Sequence, residues 1–533
     1  MNRIEPMVIV GAMVATLLLQ TVSPTPLQAA EPRAAVLKRL NAMINELEAQ
    51  DEALRPKPKP KPKVVVKKRA DVTLMERARK AAVKIGRPLR VVIDVRSDHS
   101  DGKHSFADLR EMAVARGIEA LAFTEHDRTA VRYGIDPVSS ILGYTYERRS
   151  LYTTGVDHFI DDLTTFRQQN GDMLFFAGTE STPDYFWTGI PLQDNFILHD
   201  SDKHIITLGV ESAEQVESLP SYNLTHMHSS FKISVVFWCL TIFALMLLLL
   251  YRRQRSIALL LFASFVAFMA TWLMQLRNEV DPDQDFLTTA KEHHLFTVWA
   301  HPGTQSGMRT EALGVKVKTD AYSDKVFAGP YADAFAALYG DSDLNTRIGG
   351  AWDRYLMKYV KGVKREPLWA VSAGDFHYQG GFDTFLGDYP MDVWVRERTP
   401  SAIVIALQGG HNVSWKQIQG QNIGFRTLAV ADGRGEVALP GESLHGTGPY
   451  FLVASAEWLK GSSSRASSLI AQIVVDGLLM DSPTMDIGAG KVMVWRLKMA
   501  VGDHVVRLRM PEQHGIRMES NPFFISVVAE KKG

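Results

Sequence analysis

At 533 residues the chain is too long for one ordinary core, and 46% hydrophobic with 22% charged residues excludes disorder throughout and calls for two or three folded modules. Its 59 Lys and Arg balance its 59 Asp and Glu, so no net field draws the whole molecule to nucleic acid, and no nucleic-acid-reading motif is present. The single cysteine, Cys239, lies in an apolar run; this excludes a disulfide framework and a thiolate zinc site within one chain, so metal binding would have to use His, Asp and Glu.

The N-terminus runs from Arg3 through an apolar stretch (7–19) to the small residues Ala29 and Ala30. That is the order of a secretory signal, and residues 1–30 are expected to be a signal peptide or an N-terminal anchor. Residues 31–55 set Leu37, Leu40, Ile44, Leu47 and Leu54 at heptad-like intervals, broken at Asp51. This predicts a short amphipathic helix, either a docking element for an envelope protein or a plain surface helix. Over residues 56–70, Pro56, Pro58, Pro60 and Pro62 forbid helix and ladder pairing and predict an extended, lysine-rich linker.

From residue 71 strands and helices alternate. "LRVVIDV" reads as a buried strand, "SFADLREMAVARG" as a helix opened by Ser105 with Asp108 completing a capping box, and "IEALAFTEHD" as a second strand. "DMLFFAGTE", "HIITLGV", "LFTVWAHP" and "LWAVSAGDFH" follow as strands. Each ends, or in one case starts, with Glu or His, which describes an α/β barrel with its site at one rim.

The barrel is read in two parts, 71–231 and 278–424. Between them lie two runs of 18 uncharged residues, 233–250 and 257–274. Each would make about 27 Å of helix, close to the hydrocarbon thickness of a bilayer. The connecting "YRRQRS" carries Arg252, Arg253 and Arg255. Residues 232–277 are therefore expected to form a transmembrane hairpin with a cytoplasmic turn and both flanks outside, the alternative being two buried core helices. Short β-rich runs over 425–533 predict a small C-terminal β-sandwich.

The chemistry-bearing residues are Asp101 in "SDG", His126 in "TEHD", Glu180 in "AGTE", His204 in "KHIITLG", His301 in "WAHPG", and Asp375 with His377 in "AGDFH". Carboxylates and neutral imidazoles suit borderline divalent cations such as zinc and manganese, and a bridging carboxylate such as Glu180 would let two of them sit close together. Tyr185, Phe186 and Trp187 offer either an aromatic lip or loop packing. His99 and His104 are either replacement ligands or loop histidines; His293 and His294 read as ordinary.

The order and spacing of these motifs resemble the PHP superfamily, named for a domain of bacterial polymerases and histidinol phosphatase, over about residues 88–425. "RERTPSAIVIALQGG" resembles its closing helix, and "ESNPFFI" the final strand of members with a C-terminal β-domain. The chain is also similar to a membrane-embedded branch in which a transmembrane hairpin interrupts the barrel. The resemblance implies an α/β fold, a distorted (β/α)7 barrel, binding up to three metal ions and hydrolysing phosphoesters.

It further implies that the family's His-x-His falls on Asp94-Val95-Arg96, and the remaining metal ligands on Asp101, His126, Glu180, His204 (with His199 as competitor), His301, Asp375 and His377. His126 or His377 would position the attacking water. Arg96 is cationic at any accessible pH and cannot ligate, so two divalent ions, zinc or manganese, are expected rather than three. Arg96 either acts in catalysis by clamping a substrate phosphate or neutralises Asp94, Glu180 or Asp375 in an internal ion pair.

The expected activity is that of an exported phosphoesterase anchored in the inner membrane, with its barrel on the periplasmic or other extracytoplasmic side. It would act on a phosphorylated small molecule, lipid or glycan, with no nucleic-acid partner. The alternative is a catalytically inactive envelope scaffold or binding protein.

Overall fold

In the computed structural model, residues 68–134, 143–191, 193–223, 281–303, 307–310, 315–329, 331–339, 344–381, 384–418, 420–462 and 466–529 are described, with the isolated positions 243, 245 and 247. The segments read from the sequence as a signal or anchor, an amphipathic helix, most of a Pro/Lys linker and nearly all of a transmembrane hairpin lie outside the described residues. Among the described residues no helix is long and apolar enough to cross a membrane.

The chain is first described at α1 (Lys68–Val83), which begins inside the stretch read as linker. It corrects the first barrel boundary, because α1 packs on the C-terminal module. Ala78 meets Ala431 and Phe451, and Ala82 meets Ala429 and Val453. Two alanines four residues apart share one helical face, and that small-residue face lets the helix lie close against a sheet.

Next come β1 (Leu89–Val95), α2 (Phe106–Ala115), β2 (Ala120–His126), α3 (Val156–Gln169), β3 (Leu174–Ser181) and β4 (Ile205–Val210). They are followed by α4 (Pro282–Glu292), β5 (Phe296–Trp299), β6 (Ala334–Leu338), α5 (Ala351–Val360) and β7 (Trp369–Ser372). The expected capping box at Ser105 and Asp108 opens α2. β1, β2, β5, β6 and β7 are buried along their whole length, which is why they read as unbroken apolar runs.

The strands lie side by side in the order β7-β6-β5-β4-β3-β2-β1. Just past β7, Phe376 forms a parallel bridge to Val95; the Arg96 amide donates to the Phe376 carbonyl (2.8 Å) and the Phe376 amide to the Asp94 carbonyl (3.0 Å), closing seven strands into a ring. All neighbours are parallel except β4, which is antiparallel to both β3 and β5. A parallel strand needs a crossover, usually helical. The β3–β4 connection instead holds two short strands, Asp184–Thr188 and Ile197–His199, and β4 runs back.

β8 (Met391–Val393) flanks β1, α6 (Pro400–Gln408) starts at a proline behind the Thr399 cap, and β9 (Asn412–Gln417) pairs β8. Then follow β10 (Ile423–Asp432), β11 (Tyr450–Trp458), β12 (Gln472–Val475), β13 (Met493–Leu497), β14 (Gly502–Gln513), β15 (Ile516–Ser520) and β16 (Phe523–Val527). β10, β11 and β13 belong to one sheet, and β12, β14, β15 and β16 to another. Leu428 and Leu452 of the first share an apolar core with Ile473, Leu508 and Met518 of the second. The second sheet joins the barrel sheet through β9 and β15. At that junction Arg507 is buried between Asp353 on α5 and Glu519.

Candidate metal centre

Six barrel strands deliver ionisable side chains to one rim. Asp94 and Arg96 leave the end of β1, His126 and Glu180 lie at the ends of β2 and β3, and His301, Asp375 and His377 follow β5 and β7. His204 instead precedes β4, because that strand is reversed and enters at this rim. Asp101 comes from the loop after β1. That loop is pinned by buried Glu125, whose carboxylate accepts from the Ser97 amide (2.9 Å) and from Ser100.

Three neighbouring groups result, the last two sharing Glu180: Asp101, His126 and His377; Glu180, His204 and His301; and Asp94, Glu180 and Asp375. In the first, Asp101 Oδ2 lies 3.3 Å from His377 Nε2 and 3.8 Å from His126 Nε2. In the second, Glu180 Oε1 lies 3.1 Å from His204 Nδ1 and 3.6 Å from His301 Nε2. Glu180 Oε2 lies 3.5 Å from His126 Nε2, so this carboxylate spans the first two groups with one oxygen each. The ion pair with Arg96 aside, neither oxygen of Glu180 receives a hydrogen bond among the described residues, although both are buried. A buried carboxylate with one cation as its sole partner is under-satisfied, and ringed by imidazole nitrogens it fits a divalent cation.

The third group is already filled by a cation. The wholly buried Arg96 guanidinium donates to Asp94 Oδ1 (2.9 Å), Thr124 Oγ1 (2.9 Å) and Asp375 Oδ1 (3.3 Å), and pairs with Glu180. Of the two roles open to Arg96, this geometry is that of the internal ion pair; the side chain has no exposed face to offer a phosphate.

Burial pushes the imidazoles of His126, His204 and His301 below their ordinary range, with the Arg96 charge adding to the effect at His126. They stay neutral, the form that offers a lone pair to a metal. His377 is pushed up to about 9: burial opposes its charge, but the hydrogen bond with Asp101 and the nearby Asp375 outweigh it. Binding an ion at His377 would release that proton. Asp101 and Asp375 are held below the usual carboxylate range, burial being outweighed by His377 together with His126 at Asp101 and Arg96 at Asp375.

Asp94 (φ 68°), His301 (φ 29°) and Asp375 (φ 46°) adopt left-handed backbone. Such conformations cost on the order of 1–3 kcal/mol each and concentrate where function holds them.

His199 stands apart from the cluster, stacked on Phe186 with its Nε2 2.8 Å from Thr188 Oγ1, so His204 is the histidine brought to the rim. The aromatic triad is packing: Tyr185 and Trp187 are buried with Leu198 and Val317 in a small separate core. His104 accepts from the Gln379 amide, and His293 caps the end of α4. Two residues escaped the sequence reading. Tyr339 follows β6, donates to Asp375 Oδ2 (3.2 Å) and lies 5.2 Å from the His301 ring; Thr124 orients Arg96.

No protein-family profile matches the chain, and no curated protein matches it. Among solved structures it is similar to a two-domain protein from Bacteroides vulgatus described as containing a predicted PHP-like metal-dependent phosphoesterase, at 12% identity and TM-score 0.36 over 83% of this chain and 96% of that one. Over 16% of its length it is similar to fibronectin(III)-like modules of Clostridium thermocellum CbhA, covering 86% of that chain at 18% identity and TM-score 0.11. At these values the chain's own residues, not the likenesses, carry the functional reading.

Proposed function

We propose that the chain is a membrane-anchored, exported metal-dependent phosphoesterase of the PHP type, holding two divalent cations and using Arg96 as a built-in third positive charge. The observation that carries this reading is Glu180, a buried carboxylate whose only cationic partner among the described residues is Arg96 and which faces two imidazole-rich groups, while Arg96 also closes the acidic group that Glu180 shares with Asp94 and Asp375. Asp101, His126 and His377 would hold one ion, His204 and His301 the other, and Glu180 both. Zinc or manganese fits this donor set. Bound there, the ions would activate water and offset charge developing on a phosphoryl group.

Charge balance supports two ions. Asp94, Asp101, Glu180 and Asp375 bring four negative charges, of which Arg96 offsets one. Two divalent ions would turn the remaining three into a single positive charge, matched to a phosphoester; a third would leave a large excess. The apolar runs and the arginine-rich turn between them support anchoring in the inner membrane with the barrel on the extracytoplasmic side. Substrates there are phosphorylated small molecules, lipids or glycans, and the 31–55 segment would dock an envelope partner.

Elemental analysis of the full-length chain, beside a variant carrying Asp375→Ala and His377→Ala, tests this. About two ions per chain, lost in part in the variant together with turnover of a generic aryl phosphate, is the expected result. Fewer than one ion per chain, unchanged in the variant, would favour the second reading, a non-catalytic envelope scaffold. The engagement of Arg96 by three carboxylates is the observation on that side. A reporter fused at 252–255 checks the topology; an exported signal would overturn it.

A further inference from the structure

Outside the main cluster, the β1–α2 loop and helix α3 bring three more ligand-type side chains together. His158 and Asp162 are four residues apart on α3 and share a face, and His99 comes from the loop. His99 Nε2 lies 3.1 Å from Asp162 Oδ2, His158 Nε2 lies 3.5 Å from the same oxygen, and one ligand atom from each of the three falls within 4.8 Å of the others.

His99 is fixed for this contact. Its Nδ1 faces Ser97 Oγ at 3.1 Å, its ring stacks on Phe106 (4.6 Å between centroids, 14° between planes) and meets Phe159 at 5.5 Å and 63°, and its carbonyl accepts from Thr154 Oγ1 at 2.7 Å. A histidine with one nitrogen held by a neighbour and the other free to ligate is the usual form of a metal-binding imidazole. The side chains of Asp162 and His158 are 45% and 63% exposed, so a water can complete the coordination, while His99 at 13% anchors the group to the fold.

We propose that His99, His158 and Asp162 form a further cation site, for zinc or a similar borderline divalent ion, distinct from the cluster at the barrel rim. Three protein donors of this kind, with water in the fourth position, suit tetrahedral zinc. Its role is to hold the β1–α2 loop against α3. The same loop carries Asp101, two residues from His99, so an ion here stiffens the backbone that presents Asp101 without touching the reacting groups. The site does not depend on the proposed reaction.

The test is zinc titration of the full-length chain in detergent, after stripping with chelator, in the parent, in His158→Ala and in Asp162→Asn. Each change is repeated on a background carrying His204→Ala and His301→Ala, which weakens the rim cluster. His158→Ala is the decisive variant, since its exposed side chain is not needed for folding. The expected result is loss of one zinc per chain on both backgrounds, or a weakening of one site by at least the roughly 100-fold that loss of a mere outer-shell partner reaches. Unchanged zinc number and affinity in His158→Ala and Asp162→Asn would overturn the proposal. If the rim-cluster reading fails instead, the zinc sensitive to His158 persists while the His204 and His301 changes remove none.

Discussion

Replacing Arg96 by methionine tests whether the guanidinium stands where an ion would otherwise be needed. Methionine fills similar volume without charge, leaving Asp94, Glu180 and Asp375 facing one another in a buried space. Removing one partner of a buried ion pair costs on the order of 3–5 kcal/mol, and two like charges about 4 Å apart repel by about 4 kcal/mol at an effective dielectric constant of 20. With chelator present, Arg96→Met should therefore lose about 3–5 kcal/mol against the parent. The vacated group is itself three carboxylates with ligand geometry. A divalent ion at about 1,000 times its Kd would return about 4 kcal/mol, nearly all of the deficit. Urea unfolding followed by tryptophan fluorescence, with chelator and with manganese, measures both parts, and elemental analysis should find one more ion in the variant than in the parent. A variant as stable as the parent in chelator, or a deficit that manganese leaves untouched, would refute the reasoning.

Arg507→Ala should destabilise the barrel–sandwich junction by about 3–5 kcal/mol, since Asp353 loses its buried arginine while Glu519 keeps Arg509 and Arg517; limited proteolysis and urea midpoints check this, and an unchanged midpoint counts against it. At Gly178 an added Cβ would stand 2.1 Å from the Thr207 carbonyl, so Gly178→Ala should force β3 and β4 apart, cost about 1–3 kcal/mol and weaken metal uptake at Glu180, two residues on. His504 is partly buried, which opposes its charge, but its hydrogen bond with Asp476 and the contact to the Ala500 carbonyl raise its pKa. Its contribution to stability is full below the free imidazole value of about 6.5 and is lost as pH climbs through the raised one. Asp476→Asn should flatten that part of the alkaline decline in melting temperature; an identical pH profile would contradict the pairing.

The ligand-bearing strands were legible because a fully buried strand has no polar face, so its apolar run stops abruptly at the rim where the ionisable residue stands. β6 was missed for the complementary reason. "AFAAL" is rich in alanine, whose intrinsic preference is helical, and only its place between β5 and β7 makes it a strand. Missing β6 hid Tyr339 as well. Tyr185, Phe186 and Trp187 look like an exposed trio in one dimension, but on a strand successive side chains alternate, and two of the three turn into the same small core. The sequence named Asp94, Glu180 and Asp375 as candidate partners of Arg96 but left its role open, because Asp375 and Glu180 stand 279 and 84 positions away and meet it only when the ring closes.

The reversal of β4 also bears on where the apolar runs attach. β4 enters at the cluster rim and leaves at the opposite one, yet the chain returns to the cluster rim before residue 224. The Tyr222 amide donates to the Pro183 carbonyl just beyond β3, and Tyr222 Oη pairs with Asp285 at the start of α4. On the C-terminal side of residues 224–280, Asp283 pairs with Lys203, the neighbour of His204, and with Lys325. Both flanks of residues 224–280 are thus fastened beside the cluster. Nine residues separate position 223 from the first apolar run and six separate the second from position 281, which limits the reach to roughly 30 and 20 Å at about 3.4 Å per residue. On the proposed topology the rim carrying Asp101, Glu180 and His301 therefore stands within a few nanometres of the bilayer surface. Among the three substrate classes, that proximity favours a phosphorylated lipid or a lipid-borne glycan over a freely diffusing small molecule. A vesicle-embedded phospholipid monoester turned over faster than its short-chain soluble analogue by the full-length chain is the matching outcome, and preference for the soluble analogue would remove this argument.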